Sequence, residues 1–120
     1  MQANTLVVND GTSDRSFDLV SRQGMESTRR EVGVSSTLAS QLKIANTVDL
    51  NNLAAKNKHL IQFGWNEVDA TTGAVSKAAI WIAISRDKAV TDASIAERSA
   101  MLADLVAQPG FLTDILVGGN

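Results

Sequence analysis

The strongest constraint on this chain is a change of period at Arg86: before it apolar residues recur mostly at every second position, and after it at every third or fourth. A period of two belongs to strands with one dry and one wet face, and a period of about 3.6 belongs to helices. Residues 41–50 (QLKIANTVDL) alternate most clearly, with Leu42, Ile44, Val48 and Leu50 on one face and Gln41, Lys43, Ala45, Thr47 and Asp49 on the other. Asn46 interrupts the dry face, and its amide needs partners if buried. From Lys58 the alternation resumes, setting His59, Ile61, Phe63 and Trp65 against Lys58, Leu60, Gln62, Gly64 and Asn66. Residues 78–86 (AAIWIAISR) set Ile80, Ile82 and Ile84 against Ala79, Trp81, Ala83 and Ser85.

Upstream, residues 5–9 (TLVVN) form a short β-rich run that stops at Asp10-Gly11, a dipeptide suited to a hairpin turn. Residues 17–22 (FDLVSR) place Phe17, Leu19 and Ser21 on one face and Asp18, Val20 and Arg22 on the other, so a β-hairpin opens the chain over residues 1–26. A turn at Gln23-Gly24 leads to residues 27–34 (STRREVGV), whose charges and weak pattern fit an exposed edge strand, with Arg29-Arg30-Glu31 resisting unwanted pairing. Residues 51–57 read as a polar turn and residues 69–76 (DATTGAVS) as a small-residue, mobile loop. Past Arg86, Thr91 suits a helix N-cap, Asp92 favours the first turn, and Ile95, Leu102, Leu105 and Val106 form a helical stripe. Pro109 cannot continue that helix, and a second, residues 111–117, stops at Gly118-Gly119. The expectation is an α+β chain, one domain over residues 1–120, with a main antiparallel sheet over 27–87 and two helices over 91–118.

Composition then removes most enzyme classes. There is no cysteine, which excludes disulfides, thiolate metal sites and cysteine nucleophiles, and the single histidine, His59, leaves no histidine cluster for a metal. We expect no cofactor, no metal and no catalysis. No run of about 18 apolar residues offers a membrane span, and residues 1–9 lack the basic and apolar blocks of a secretory signal, so no membrane partner is expected. The formal net charge is −2, yet residues 41–77 carry 4 basic against 3 acidic residues while both flanking thirds are net acidic. Any RNA would therefore be held on a local surface rather than by a polybasic tail.

Two short helices cover only part of a sheet of five or more strands, and the sheet's wet face holds no catalytic cluster. A symmetric dimer that extends the sheet and exchanges helices resolves both difficulties.

The segments Thr91-Asp92 through Glu97-Arg98, Leu102-Ala103-Asp104-Leu105-Val106-Ala107-Gln108-Pro109 and Phe111-Leu112-Thr113-Asp114-Ile115 resemble the two-helix tail of coat proteins of single-stranded RNA bacteriophages (leviviruses), nearest to the Q-beta type. The likeness extends upstream, in order, over the hairpin, the strand from Leu42, the turn at Lys56-Asn57-Lys58, the loop around Gly73 and the isoleucine strand. It implies a hairpin plus a five-stranded sheet and an interlocked homodimer with a continuous ten-stranded sheet. Such dimers build an icosahedral shell in the virion, assembled in the bacterial host cytoplasm, and the inner sheet face binds genomic RNA. The same face would bind an RNA operator hairpin and repress replicase translation. Carried over by strand parity, Lys43 and Lys58 neutralise phosphates, Thr47, Gln62, Asn66 and Ser85 bond bases or sugars, and Trp81 stacks an unpaired base. Ile95, Leu102, Leu105, Val106, Phe111 and Ile115 become the dimer and helix packing, and Thr71, Thr72, Gly73 and Ala74 the loop between dimers. The family often has a tyrosine or acidic residue on the last strand where this chain has Ala79 and Trp81, and the Q-beta type has loop cysteines that this chain lacks.

Bland readings stand beside these. Trp81 between two isoleucines could be core, Lys56 and Lys58 a solvated turn, and His59 a surface or satisfied histidine with no chemistry. Gly118-Gly119 is a helix stop, and Asp10, Asp14, Asp18, Asp87 and Asp92 have turn and cap spacing rather than that of a Ca²⁺ loop. The rival function is a dimeric α+β ligand-binding protein or small enzyme with a pocket between sheet and helices; a host single-strand RNA-binding protein is a third.

Overall fold

The computed structural model describes residues 2–35, 38–48, 51–52 and 54–119. Six strands, β1 (Thr5–Asn9), β2 (Asp14–Gln23), β3 (Glu26–Glu31), β4 (Gln41–Thr47), β5 (Asn57–Val68) and β6 (Val75–Arg86), precede two helices, α1 (Asp92–Ala107) and α2 (Phe111–Leu116). The strands form one antiparallel sheet in sequence order, so every connection is a simple return. The chain divides into two compact units, Met1–Arg86 and Asp87–Asn120, and the change of period falls at that boundary. The expected α+β order holds, but the opening hairpin is no separate element: β1 and β2 are the first two strands of the sheet. Of the strand read over 41–50, β4 accounts for residues up to Thr47, while Asp49 and Leu50 lie outside the described residues.

Two expectations about the second and third strands fail. Strand β3 is no edge, since it lies between β2 and β4, and Arg29 is 0 % exposed with Ser27 and Glu31 also buried. Buried charge persists only where it is bonded, and both groups are. The Arg29 guanidinium donates to Ala3 O at 2.6 and 3.2 Å and to Ser27 Oγ at 2.8 Å. Arg15 Nε lies 2.6 Å from a Glu31 carboxylate oxygen, whose partner oxygen accepts the Ser40 N–H at 3.3 Å. Second, the faces of residues 17–22 do not alternate throughout. Leu19 pairs with Arg29 but Ser21 with Thr28 and Arg22 with Ser27, leaving Val20 as the extra residue of a β-bulge. One extra residue inverts all later side chains, so Ser21 leaves Leu19's face and Arg22 joins it. There Arg22 donates to Gln2 O at 2.8 Å, and the two arginines together clasp the N-terminal segment.

The buried apolar side chains among the described residues are Phe17, Ala39 and Leu42. Phe17 of β2 meets Phe63 of β5 edge to face, with ring centroids 5.2 Å apart and planes at 75°. These strands are three steps apart, about 14 Å on a flat sheet, so the sheet curls towards this dry face. Arg29 and Leu42, which pair with each other across β3 and β4, are buried on the same dry face, and Leu42 also pairs with Phe63.

In the helical unit Thr91 caps α1, its hydroxyl accepting the Ser94 N–H at 3.2 Å. The helix ends before Gln108-Pro109, and α2 is closed by Gly118 at φ +91°, whose N–H donates to Ile115 O. No residue of either helix is buried. Among the described residues no helix is long and apolar enough to cross a membrane.

Candidate nucleic-acid interface

Regular pairing from β4 through β6 turns strand parity into rows across the wet face. Lys43, Gln62 and Trp81 stand side by side in one row, and Thr47, Lys58 and Ser85 in another. Asn66 lies opposite Lys77 further along the same face. All seven residues expected on an RNA surface thus share one face, and Trp81 is 59 % exposed in the single chain. Lys58 is exposed and Gln62 half-buried.

Charge on this face is segregated. The residues of β4, β5 and β6 that point this way include Lys43, Lys58 and Lys77 and no carboxylate; Asp14, Asp18 and Glu26 lie on the β2–β3 side. Lys43 sits at the border, its ammonium 3.2 Å from Glu26. A phosphate at Lys43 must therefore compete with a half-exposed ion pair, whose strength is modest and falls with salt. Two cations of the face were missed by sequence reasoning. Lys77 precedes the isoleucine strand as it was first bounded, and Arg30, assigned to an edge, lies in the row Arg30, Gln41, Gly64, Ala79. Extending the alternation two residues back from Ala79 finds Lys77; Arg30 required the register of β3.

Strands reach closer to the 69–76 loop than expected, with Val68 paired to Val75. The remaining turn is densely bonded. The Asp69 carboxylate accepts the Thr71 and Thr72 N–H groups at 2.7 and 3.0 Å, Gly73 N–H donates to Asp69 O at 2.8 Å, and Asp69 N–H donates to Ala74 O at 2.9 Å. The Thr72 and then the Thr71 backbone bond hold the Asp69 carboxyl below its ordinary pKa. Gly73 takes φ +71°, which a side chain would oppose.

The dry face is only partly covered. Strand β6 is a sheet edge, and its Ile80 and Ile82 are 56 % and 45 % exposed. Of the residues expected in helix packing, Ile95 and Phe111 are half-buried, while Leu102, Leu105, Val106 and Ile115 are exposed. Asn46, flagged as an interruption, finds its partner across the strand pair: its amide oxygen lies 2.8 Å from His59 Nδ1 and accepts from it when that nitrogen carries the proton. Among the described residues no three His, Asp or Glu side chains stand close enough to hold a metal ion.

No protein-family model matches the sequence, and no curated protein is similar to it. Solved structures are. The chain superposes on the virus-like particle protein of Beihai levi-like virus 21 with a TM-score of 0.78 at 13% identity, covering 100% of this chain and 98% of the other. For the virus-like particle of bacteriophage AVE019 the values are 0.79, 13%, 100% and 97%. For the capsid protein of bacteriophage GA they are 0.64, 17%, 98% and 95%. The chain has the α+β fold of levi-like RNA phage coat proteins, over its full length.

Proposed function

We propose that this chain is the coat protein of a single-stranded RNA bacteriophage, a structural protein without catalysis that forms a homodimer and then an icosahedral shell. The wet sheet face turns inward and holds genomic RNA, and it binds an RNA hairpin to repress replicase translation. The observation that carries the reading is the set of rows Lys43–Gln62–Trp81 and Thr47–Lys58–Ser85 on a strand triplet whose wet face, among the described residues, has cations and no carboxylate. Lysines suit phosphates, amides and hydroxyls suit base edges and sugars, and an exposed indole suits stacking. The long apolar edge strand β6 supports the dimer, because an unpaired edge of this kind invites pairing with a second copy. Two sheets joined edge to edge make twelve strands, or ten with β1 of each chain counted as an arm. Residues Ile95, Leu102, Leu105, Val106, Phe111 and Ile115 would then cover the partner's isoleucines, and Thr71, Thr72, Gly73 and Ala74 would meet neighbouring dimers.

The test is bacterial expression followed by nuclease treatment, size exclusion and negative-stain microscopy. Closed particles that protect RNA are expected. A dimer-sized species free of nucleic acid would refute the capsid assignment and favour a ligand-binding protein.

A further inference from the structure

The connection between β3 and β4 exposes apolar side chains although its base is firmly held. Residues 32–42 (VGVSSTLASQL) are the longest uncharged stretch of the sequence, and Val32, Val34 and Leu38 within it are exposed. Its two ends are tied to each other: Glu31 N–H donates to Ser40 O at 2.9 Å, and the buried Glu31 carboxylate accepts the Ser40 N–H while it pairs with Arg15. Val32 N–H donates to Ser16 O at 2.9 Å, and the Leu38 and Ala39 N–H groups both donate to Ser35 O. A buried ion pair adds little net stability; here it fixes the place at which three aliphatic side chains meet solvent. Single exposed aliphatics are ordinary, but a group of them on one short, held loop marks a contact surface.

The register of the sheet sets this loop beside a projection. Gln41 starts β4 opposite Gly64, whereas β5 and β6 stay paired as far as Val68 and Val75, so their hairpin runs about 13 Å past the end of β4. The β3–β4 loop is therefore a shoulder at the foot of a projecting ribbon. Val68 and Val75, cross-strand neighbours near the tip of that ribbon, are exposed. Residues 70–76 carry no charge, and the Asp69 carboxylate is occupied by the Thr71 and Thr72 N–H groups. A projecting apolar tip and a set-back apolar shoulder on one chain are two different patches, which is what a head-to-tail contact that closes into a ring requires. A ring also gathers identical loops around one axis, where a charge on the loop would face copies of itself at a cost in free energy. The neutrality of both segments fits that gathering.

We infer that the β3–β4 loop is the seat for the β5–β6 hairpin of the next copy of this chain around a ring axis of the shell, with Val34 and Leu38 against Val68 and Val75 of that copy. This rests on the capsid reading and adds to it the surface that receives the hairpin.

Disulfide trapping in the full chain tests it, because the sequence has no cysteine. Particles of the double variant Leu38→Cys, Val75→Cys, assembled under reducing conditions and then oxidised, should run on a non-reducing denaturing gel as a ladder of chain multiples that stops at closed rings, while each single variant runs as the monomer. Leu38→Asp should leave circular dichroism and the dimer as in wild type, yet lower the yield of particles about tenfold or more. Double-variant particles that give only monomer, or no more than the cross-links of the single variants, overturn the seat, as does a wild-type yield of particles from Leu38→Asp. If Leu38→Asp fails to fold, the gel of the double variant still decides. Particles without the ladder bring down the seat alone, and a wild-type chain that forms no particles brings down the capsid reading and the seat together.

Discussion

Arg29 offers a sharp test of what holds the curled sheet. Its side chain is 0 % exposed, and among the described residues its partners are neutral: Ala3 O and Ser27 Oγ. Burial, and secondarily the charge of Arg22, push its pKa below the ordinary value, which means that the folded state opposes the charge it nonetheless carries. Desolvating an ion costs several kcal/mol, and three bonds from a charged donor return about 1.5–3 kcal/mol each, so the polar balance is close to even. What remains is the stem, which is buried with the rest of the side chain. Arg29→Met keeps a stem of similar length and should change unfolding free energy by no more than about 1 kcal/mol. Arg29→Ala removes two methylenes at about 0.8 kcal/mol each and leaves a cavity, for a loss of about 2–4 kcal/mol. Urea unfolding at fixed protein concentration separates the two, because any assembly makes the midpoint concentration-dependent. Amide exchange adds a local readout: both variants should loosen the Gln2–Asn4 segment, since both remove the guanidinium bonds to Ala3 O. If methionine costs as much as alanine, the guanidinium hydrogen bonds and not the stem carry the stability, and the reasoning is wrong.

Leu102→Asp should leave the isolated chain folded, because Leu102 is 51 % exposed, yet abolish dimers and particles on size exclusion, at about 3 kcal/mol or more of dimer stability. Particles at wild-type yield would remove Leu102 from the interface. For Asp69 the folded pKa is depressed, so its contribution is present above the ordinary carboxylate range and is lost as pH falls below that range through the lowered folded value. Amide protection of Thr71 and Thr72 should fall over that window in wild type and less in Asp69→Asn, whose side-chain oxygen still accepts; protection unchanged by acid would deny the carboxylate its role. Converting Lys43 and Lys58 to Glu should spare folding and reduce the RNA salt slope by roughly two phosphates or fewer, with Lys58 the larger share because Lys43 already has Glu26 at 3.2 Å. Equal slopes in the double variant and wild type would place RNA elsewhere.

The parts of this fold legible in the sequence are those where the two faces of a strand differ in chemistry and nothing disturbs the count. From Gln41 to Arg86 the period of two runs through three strands without a bulge, and the rows it implies match the pairing. Residues 19–31 defeat the same method for two physical reasons. The extra residue at Val20 shifts parity, and no local pattern announces it. Charged side chains read as solvent-exposed because they are rarely buried without partners, and here the partners come from far along the chain: Ala3 for Arg29, Arg15 and Ser40 for Glu31. A sequence shows the charge but not the bond that permits its burial.

The wet face itself argues that folding alone did not choose its residues. Opposite charges directly across strands contribute roughly 0.2–1 kcal/mol, and with 13 acidic residues against 11 basic ones the chain has carboxylates to spare. Yet Lys58 stands between Thr47 and Ser85, and Lys77 faces Asn66, with the carboxylates kept to the hairpin side. Stability forgone at these pairs leaves cationic donors facing solvent on the triplet that also bears the indole of Trp81 and the bare backbone of Gly64. Each of these choices is neutral or costly for an isolated sheet. On the RNA-binding reading proposed above they become favourable together once a polyanion lies across the face, which is why the absence of acids among the described residues of β4, β5 and β6 there is a more telling signal than the number of lysines.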